Sequence, residues 1–222
     1  NVVNSSWTGT QFLAQSKDGG KSQTQANGWI QKSVAKEIFA AAGQNLDKQM
    51  AAAKQKGFKA VPLNLTASMN FENDIARKAS KNVIGVMKGT KRPDEYVLYT
   101  AHWDHLGRCT AAADGDDICN GAVDNATGTA ALVALAEGFA KAGAPERSVV
   151  FLAVTAEESG LLGSKFYAEN PVFPLSQTVG GVNMDAFSMS GPAKNLTVIG
   201  KGKSQLDAYL DAAAKSEGRT PE

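Results

Sequence analysis

From about residue 82 onward, short apolar runs rich in β-formers alternate with Ala- and Leu-rich stretches of helical period, and this alternation restricts the fold more than any other feature of the 222 residues. "NVIGVMKGT" and "EYVLYTAHW" have strand length, and "NATGTAALVALAEGFAKAG" keeps a helical pattern up to a glycine stop. "RSVVFLAVTA" returns to strand, "LLGSKFYAEN" to helix, "TVGGVNMDAF" and "NLTVIG" to strand, and "SQLDAYLDAAAKSEG" to helix. Strands that alternate with helices predict an α/β fold, a mostly parallel mixed sheet covered by helices on both faces. Ligands of such sheets gather beyond the carboxyl ends of the strands, so polar residues at those ends are the candidates for chemistry.

The upstream part reads differently. Residues 1–28 are rich in Ser, Thr, Gly, Gln and Asn without a period and read as short strands or a linker, leaving 29–222 as the main domain. "GWIQKSVAKEIFAAAG" and "NLDKQMAAAKQKG" predict two helices, and the alternating "KAVPLNLTASMNFE" predicts a strand. With 43% hydrophobic residues the chain can bury a sizeable core. A net charge of +1 and the lack of a basic stripe interleaved with aromatics argue against a nucleic-acid partner. No apolar run approaches the roughly 20 residues that span a bilayer. The opening "NVVNSSWTGT" has neither an initial Met nor a signal-peptide pattern, so the start reads as processed. Cys109 and Cys119 bracket the polar loop "CTAAADGDDIC", which suits a disulfide in an exported protein, although two reduced thiols would read identically. Without a further Cys or His cluster, zinc ligation by these thiols is the weaker reading.

Four segments at predicted strand ends or in the loops that follow carry acids or histidines: "AHWDH", "GAVDNATG", "AEES" and "NMDAF". Each alone has an ordinary explanation, a helix N-cap for "DNATG" or a polar turn for "AEESG". Together, on one rim of an α/β sheet, they offer His102, Asp124, Glu158 and Asp185 as oxygen and nitrogen ligands from separate elements. Three carboxylates around a single dication leave a net negative site, whereas two dications leave a positive one that can polarise a carbonyl. Asp124, at the head of a helix, is the choice for the bridging ligand. Asp104 lies two positions after His102 and, on an extended chain, points the same way, ready to accept the free imidazole N–H and fix the tautomer. Glu157 points opposite to Glu158 and stays unligated, free to carry a proton.

With those residues in place, the run "AHWDHLG … GAVDNATGTAAL … TAEESGLLGS … NMDAF" resembles the M28 family of zinc peptidases, co-catalytic aminopeptidases and their carboxypeptidase relatives, over about residues 80–200. The resemblance implies a zinc-dependent exopeptidase fold in which His102 and Asp185 hold one zinc, Asp124 bridges, Glu158 holds the other, Glu157 is the general base and Asp104 orients His102. It implies a cis peptide from Asp124 to Asn125, and peptides or small proteins as substrates with removal of N-terminal residues; the cysteine pair, if bridged, adds the expectation of a secreted or periplasmic location. The opening "NVVNSSWTGTQF" looks like the trailing edge of the protease-associated domain that bacterial members carry ahead of this core. The family's second zinc takes a further histidine from a later segment, and this chain has only two, His102 and His105. His105, next to the first ligand set and opposite Asp104 on an extended chain, is a poor substitute. The expectation is therefore a catalytic domain that is incomplete at its C-terminal end, with two zincs in the intact protein, a second site one ligand short here, and weak or absent activity for this chain alone. Two other readings share the scaffold: a one-zinc glutaminyl cyclase and a non-catalytic binding module. Asn4, Asn64, Asn125 and Asn195 lie in N-x-Ser/Thr sequons, and a glycan on Asn125 would block the expected site.

Overall fold

The computed structural model describes residues 10–24 and 26–222. The chain divides into two compact units, 1–78 and 79–222, so the boundary falls well after residue 28. Asn4 and most of "NVVNSSWTGTQF" lie outside the described residues. The first unit contains the two expected helices, α1 (Lys32–Ala41) and α2 (Leu46–Ala52), with Asn45 capping α2 through the Lys48 N–H. The strand expected over "KAVPLNLTASMNFE" does not form. Val61, Leu65, Met69 and Phe71 are exposed and no described strand pairs with this segment, so the alternation had no neighbouring edge to act on.

The second unit follows the predicted order. β1 (Val83–Met87) and β2 (Arg92–His102) precede a small ribbon, β3 (Gly107–Arg108) with β4 (Ile118–Cys119). α3 (Ala126–Ala142), β5 (Arg147–Val154), α4 (Leu162–Glu169), β6 (Thr178–Asn183), β7 (Asn195–Leu196), α5 (Leu206–Ser216) and β8 (Thr220–Pro221) come next. The strand read over "NLTVIG" shrinks to the two residues of β7, which pair with β8 apart from the main sheet.

The main sheet has the order β1-β5-β2-β6, with β2 parallel to both neighbours and β1 antiparallel at the edge. β5 is nearly continuously apolar because both of its faces are covered. On one face Phe151, Tyr99 and Phe139 of α3 meet one another at centroid separations of 6.1–6.2 Å. On the other, Leu152 and Val154 pack with Tyr167 of α4, Ile84 and Leu98. The chain leaves β2 through α3 to β5 on one side and returns through α4 to β6 on the other. The carboxyl end of β2 is thus the point where the connections part, the place where such sheets leave a crevice.

Candidate metal centre

Every sequence candidate sits at that crevice. His102 is the last residue of β2, and Glu157 and Glu158 lie in the turn after β5. Asp185 follows β6 by two residues, and Asp124 directly precedes Asn125, the cap of α3. Two alanines beside these acids have left-handed backbones, Ala156 at φ 51° before Glu157 and Ala186 at φ 45° after Asp185. Such conformations are uncommon for non-glycine residues and cluster where a side chain must be aimed.

His102 is only 1% exposed, and its Nδ1 lies 2.9 Å from the main-chain carbonyl of Asp104. A carbonyl can only accept, so Nδ1 bears the hydrogen and the neutral ring turns a bare Nε2 inward. Asp104 therefore orients the ring through its backbone. Its carboxylate stands 3.8 Å from Nδ1 and instead accepts the Glu157 N–H at 3.1 Å, a correction to the carboxylate contact expected from the sequence. The strand pairing stops at His102, so residue 104 no longer obeys the strand alternation on which that expectation rested.

Inside, His102 Nε2 faces Asp124 Oδ1 at 3.0 Å and Asp185 Oδ1 at 3.3 Å. Neither Nε2 nor Asp124 Oδ1, both buried atoms, has a hydrogen-bond partner among the described residues. A nitrogen lone pair and carboxylate oxygens repel one another unless a proton or a cation lies among them. Burial opposes charge on the ring. The Asp104 carbonyl and the negative charges of Asp185, Glu157 and Asp104 outweigh it, and the His102 pKa is raised. The donor set, one imidazole nitrogen and carboxylate oxygens converging from three elements, fits a zinc-like dication.

Asp124 belongs to two such groupings. His102, Asp124 and Asp185 bring ligand atoms within 4.8 Å of one another, and so do His105, Asp124 and Glu158. His105 Nδ1 approaches Glu158 Oε1 to 2.6 Å, contrary to the expectation that His105 points away. That expectation assumed an extended chain, and 103–106 is a loop. Glu157 can also group with His102 and Glu158, but its Oε2 is more distant from His102 Nε2, at 3.9 Å. Burial raises the Glu157 pKa first of all; the His102 charge opposes this, and Glu158, Asp185 and Asp104 add to it. The two adjacent acids thus stand against different histidines, Glu158 against His105 and Glu157 against His102.

The scaffold that gathers these groups was not legible as such. Asn125, 1% exposed, accepts from the Gly128 N–H (2.9 Å) and the Ala186 N–H (3.2 Å) and donates to the Met184 carbonyl (2.9 Å). It caps α3 and clamps both residues that flank Asp185, so the N-cap reading and the ligand reading of "DNATG" hold together on neighbouring residues. The Asp124–Asn125 peptide is cis. Full burial also leaves the Asn125 amide inaccessible to glycosylation in the folded chain. Thr129 of α3 donates to the His102 carbonyl at 2.9 Å, tying helix to strand end. Beside the centre lies a recess of about 350 Å³ whose lining includes Trp103, His105, Gly121, Ala126, Thr129 and Val133. Cys109 and Cys119 are joined in a disulfide that closes the β3–β4 ribbon.

Comparison with known proteins finds a family for the second unit. The description "Peptidase family M28" fits residues 82–222, beginning close to the boundary of the second unit. Aminopeptidase NAALADL1 of Mus musculus is 29% identical over 160 residues, covering 69% of this chain and 19% of that protein. A glutamate carboxypeptidase 2 homolog of Caenorhabditis elegans is 32% identical over 124 residues, covering 53% of this chain and 14% of its own length. The chain thus spans a fifth or less of these relatives. Among solved structures, BSAP, a zinc aminopeptidase from Bacillus subtilis, shares the fold with a TM-score of 0.50 at 24% identity over 63% of this chain and 33% of its own.

Proposed function

The chain belongs to peptidase family M28, and from that premise we propose that it forms the catalytic core of a two-zinc exopeptidase that removes N-terminal residues from peptides. The observation that carries the reading is the buried, unpartnered His102 Nε2 converging on Asp124 and Asp185 while Glu157 stands alongside. His102 and Asp185 would hold one ion, Glu158 the other, with Asp124 shared between them. Mixed imidazole and carboxylate donors suit zinc. Bound there, zinc supplies Lewis acidity that polarises the scissile carbonyl and acidifies water.

The chain's own groups do the rest. The Asp104 carbonyl keeps the hydrogen of His102 on Nδ1, so that Nε2 is always the ligand face. Glu157, with its pKa raised, takes a proton from the attacking water as the new C–O bond forms. It returns that proton to the leaving nitrogen as the C–N bond breaks, which balances the hydrolysis. The Asp104 carboxylate holds the Glu157 backbone and so sets the reach of the base. The mouse relative's name supports action at the amino end, and the disulfide supports an oxidising, extracytoplasmic compartment.

The test is Glu157→Gln with aminoacyl-chromophore substrates. Zinc content should be retained and the rate should fall by at least about 100-fold. An unchanged rate removes Glu157 from proton transfer. Hydrolysis of N-blocked peptides from the carboxyl end would reverse the assigned direction, and formation of a pyroglutamyl product in place of a free amino acid would replace the hydrolase with a cyclase.

A further inference from the structure

We infer that His105 is a positioning residue of the centre: its Nδ1–H fixes the direction in which the Glu158 carboxylate meets a cation, and the ring itself does not ligate. This assignment rests on the metal-site reading above and gives a task to a residue that the resemblance leaves without one.

A glutamate is a hard ligand to hold still, because several rotatable bonds separate its oxygens from the main chain. The turn that bears Glu158 is closed by the Gly160 and Leu161 N–H groups, which donate to the Glu157 carbonyl at 2.9 and 2.8 Å. Those bonds fix the backbone, and the carboxylate needs a partner of its own. His105 supplies it, with Nδ1 2.6 Å from Glu158 Oε1. A ligating carboxylate is ionised and can only accept, so the hydrogen lies on Nδ1 and the bond is charge-assisted. One oxygen of Glu158 then faces the ring, and the other is left for an ion. An Nδ1 that donates has no bare lone pair to offer a metal. The plainer alternative is an ordinary surface ion pair. The two side chains are only 21% and 22% exposed, so water competes poorly for the bond, whereas a pair of little consequence stands open to solvent.

His105 can serve as a fixed point because its loop is fastened on three sides. The Trp103 N–H donates to the Val154 carbonyl at 3.0 Å, and the Trp103 indole donates to the Lys81 carbonyl at 3.1 Å. The Asp104 carboxylate grips the Glu157 N–H, which joins this loop to the turn that bears Glu158. From the third side, Gly121 presses so closely that a Cβ there would lie 2.6 Å from His105 Cβ and 2.7 Å from the Asp124 carbonyl oxygen. Glycine at a φ of +68° lets the loop bearing Asp124 and the loop bearing His105 touch. The neighbouring residue works in the same manner, since the Asp104 carbonyl holds His102 Nδ1 and leaves Nε2 as the ligand face. Residues 104 and 105 thus set the ring of His102, the backbone of Glu157 and the carboxylate of Glu158.

The experiment uses the full 222-residue chain, ring-labelled with ¹⁵N at histidine, loaded with ¹¹³Cd for nitrogen NMR and titrated with zinc by calorimetry. The chain has two histidines, so the ring signal lost in His105→Asn assigns both. In the loaded parent the His102 ring is expected to split by coupling to cadmium, while the His105 ring stays unsplit and keeps the hydrogen on Nδ1. Splitting of the His105 ring makes it a ligand and overturns the inference. His105→Leu should weaken the zinc-binding step that Glu158→Ala abolishes by about 10–100-fold, as loss of a supporting partner does. His105→Asn, whose amide nitrogen takes the place of Nδ1, should restore most of that affinity. Equal affinity in the parent and His105→Leu, or an equal loss in the Leu and Asn variants, overturns the positioning role in favour of an idle ion pair or of packing alone. No splitting on either ring, with no zinc bound by the parent, overturns the metal-site reading beneath it as well.

Discussion

Asn125 offers the sharpest test of how the centre is built, because one side chain holds the cap of α3 and both neighbours of Asp185. Asn125→Ala deletes three hydrogen bonds at a position 1% exposed. At about 1 kcal/mol each, with the helix cap counted among them, the loss is about 3 kcal/mol. That is a large part of the ~5–15 kcal/mol that holds a domain together. It corresponds to a fall in melting temperature of about 6–12 °C for a chain of this size. Asn125→Asp keeps the acceptor for Gly128 and Ala186 but turns an oxygen toward the Met184 carbonyl, so it should lose a smaller but clear amount, ~2 kcal/mol. The same substitutions loosen Asp124 against Asp185 and should weaken zinc binding by about 10–100-fold, as loss of a supporting partner does. Urea unfolding in chelator measures the first effect and calorimetric zinc titration the second. Asn195, whose amide reaches the exposed Glu222 carboxylate at 3.0 Å, is the control, and its Ala variant should stay within ~0.5 kcal/mol. If Asn125→Ala loses less than ~1 kcal/mol and binds zinc as the parent does, Asn125 is not the clamp that the hydrogen bonds describe.

Gly121→Ala forces a Cβ to within 2.6 Å of His105 and adds a side chain at positive φ, so it should destabilise the metal-free chain. About 1–3 kcal/mol is expected, readable by calorimetry, together with weaker zinc binding; an unperturbed variant would mean that the two loops are not in contact. Leu152→Ala, in the cluster under α4, should cost ~2–5 kcal/mol by urea unfolding without changing zinc stoichiometry, and a smaller loss would place Leu152 outside a packed core. The metal-free centre has a pH signature. The His102 and Glu157 pKa values are both raised in the fold, so both sites favour their protonated forms there. The contribution of Glu157 is complete below its unfolded pKa near 4.5 and that of His102 below its unfolded pKa near 6.5. Each is lost as pH rises through the higher folded value, so the melting temperature in chelator should decline as pH rises above 4.5 and again above 6.5. Zinc competes with those protons, and the rise in melting temperature on adding zinc should grow over the same range; the opposite trends in both titrations would refute the account.

What was legible in the sequence was whatever has a period. β2, β5 and β6 and the helices α3, α4 and α5 were read from apolar spacing, and their order alone placed the acids on one rim. The segment "KAVPLNLTASMNFE" has the same alternation and forms nothing, because a strand also needs an edge to pair with, and position in a sheet leaves no trace in a local pattern. The errors at the centre have one cause. The direction of Asp104 and His105 was extrapolated from strand alternation past His102, where pairing ends. In a loop the direction of each side chain follows from individual backbone angles and from what the loop leans on. The left-handed alanines at 156 and 186 aim Glu157 and Asp185, yet no alanine announces that conformation.

That distinction explains why the placement of the candidate residues was easier to read than the direction of their side chains. An acid or histidine at a strand end is a statement about composition and order, which the chain carries openly. Whether His102 offers Nε2 or Nδ1 depends on a carbonyl two residues later, and a carbonyl belongs to every residue. The main chain, not the Asp104 carboxylate, therefore fixes the tautomer. It follows that Asp104→Asn should leave the hydrogen of His102 on Nδ1 and spare zinc binding at His102, while weakening the charge-assisted grip on the Glu157 N–H and slowing turnover. Ring nitrogen shifts of the variant, compared with kcat, separate the two roles. A changed His102 tautomer would restore the carboxylate as the orienting group.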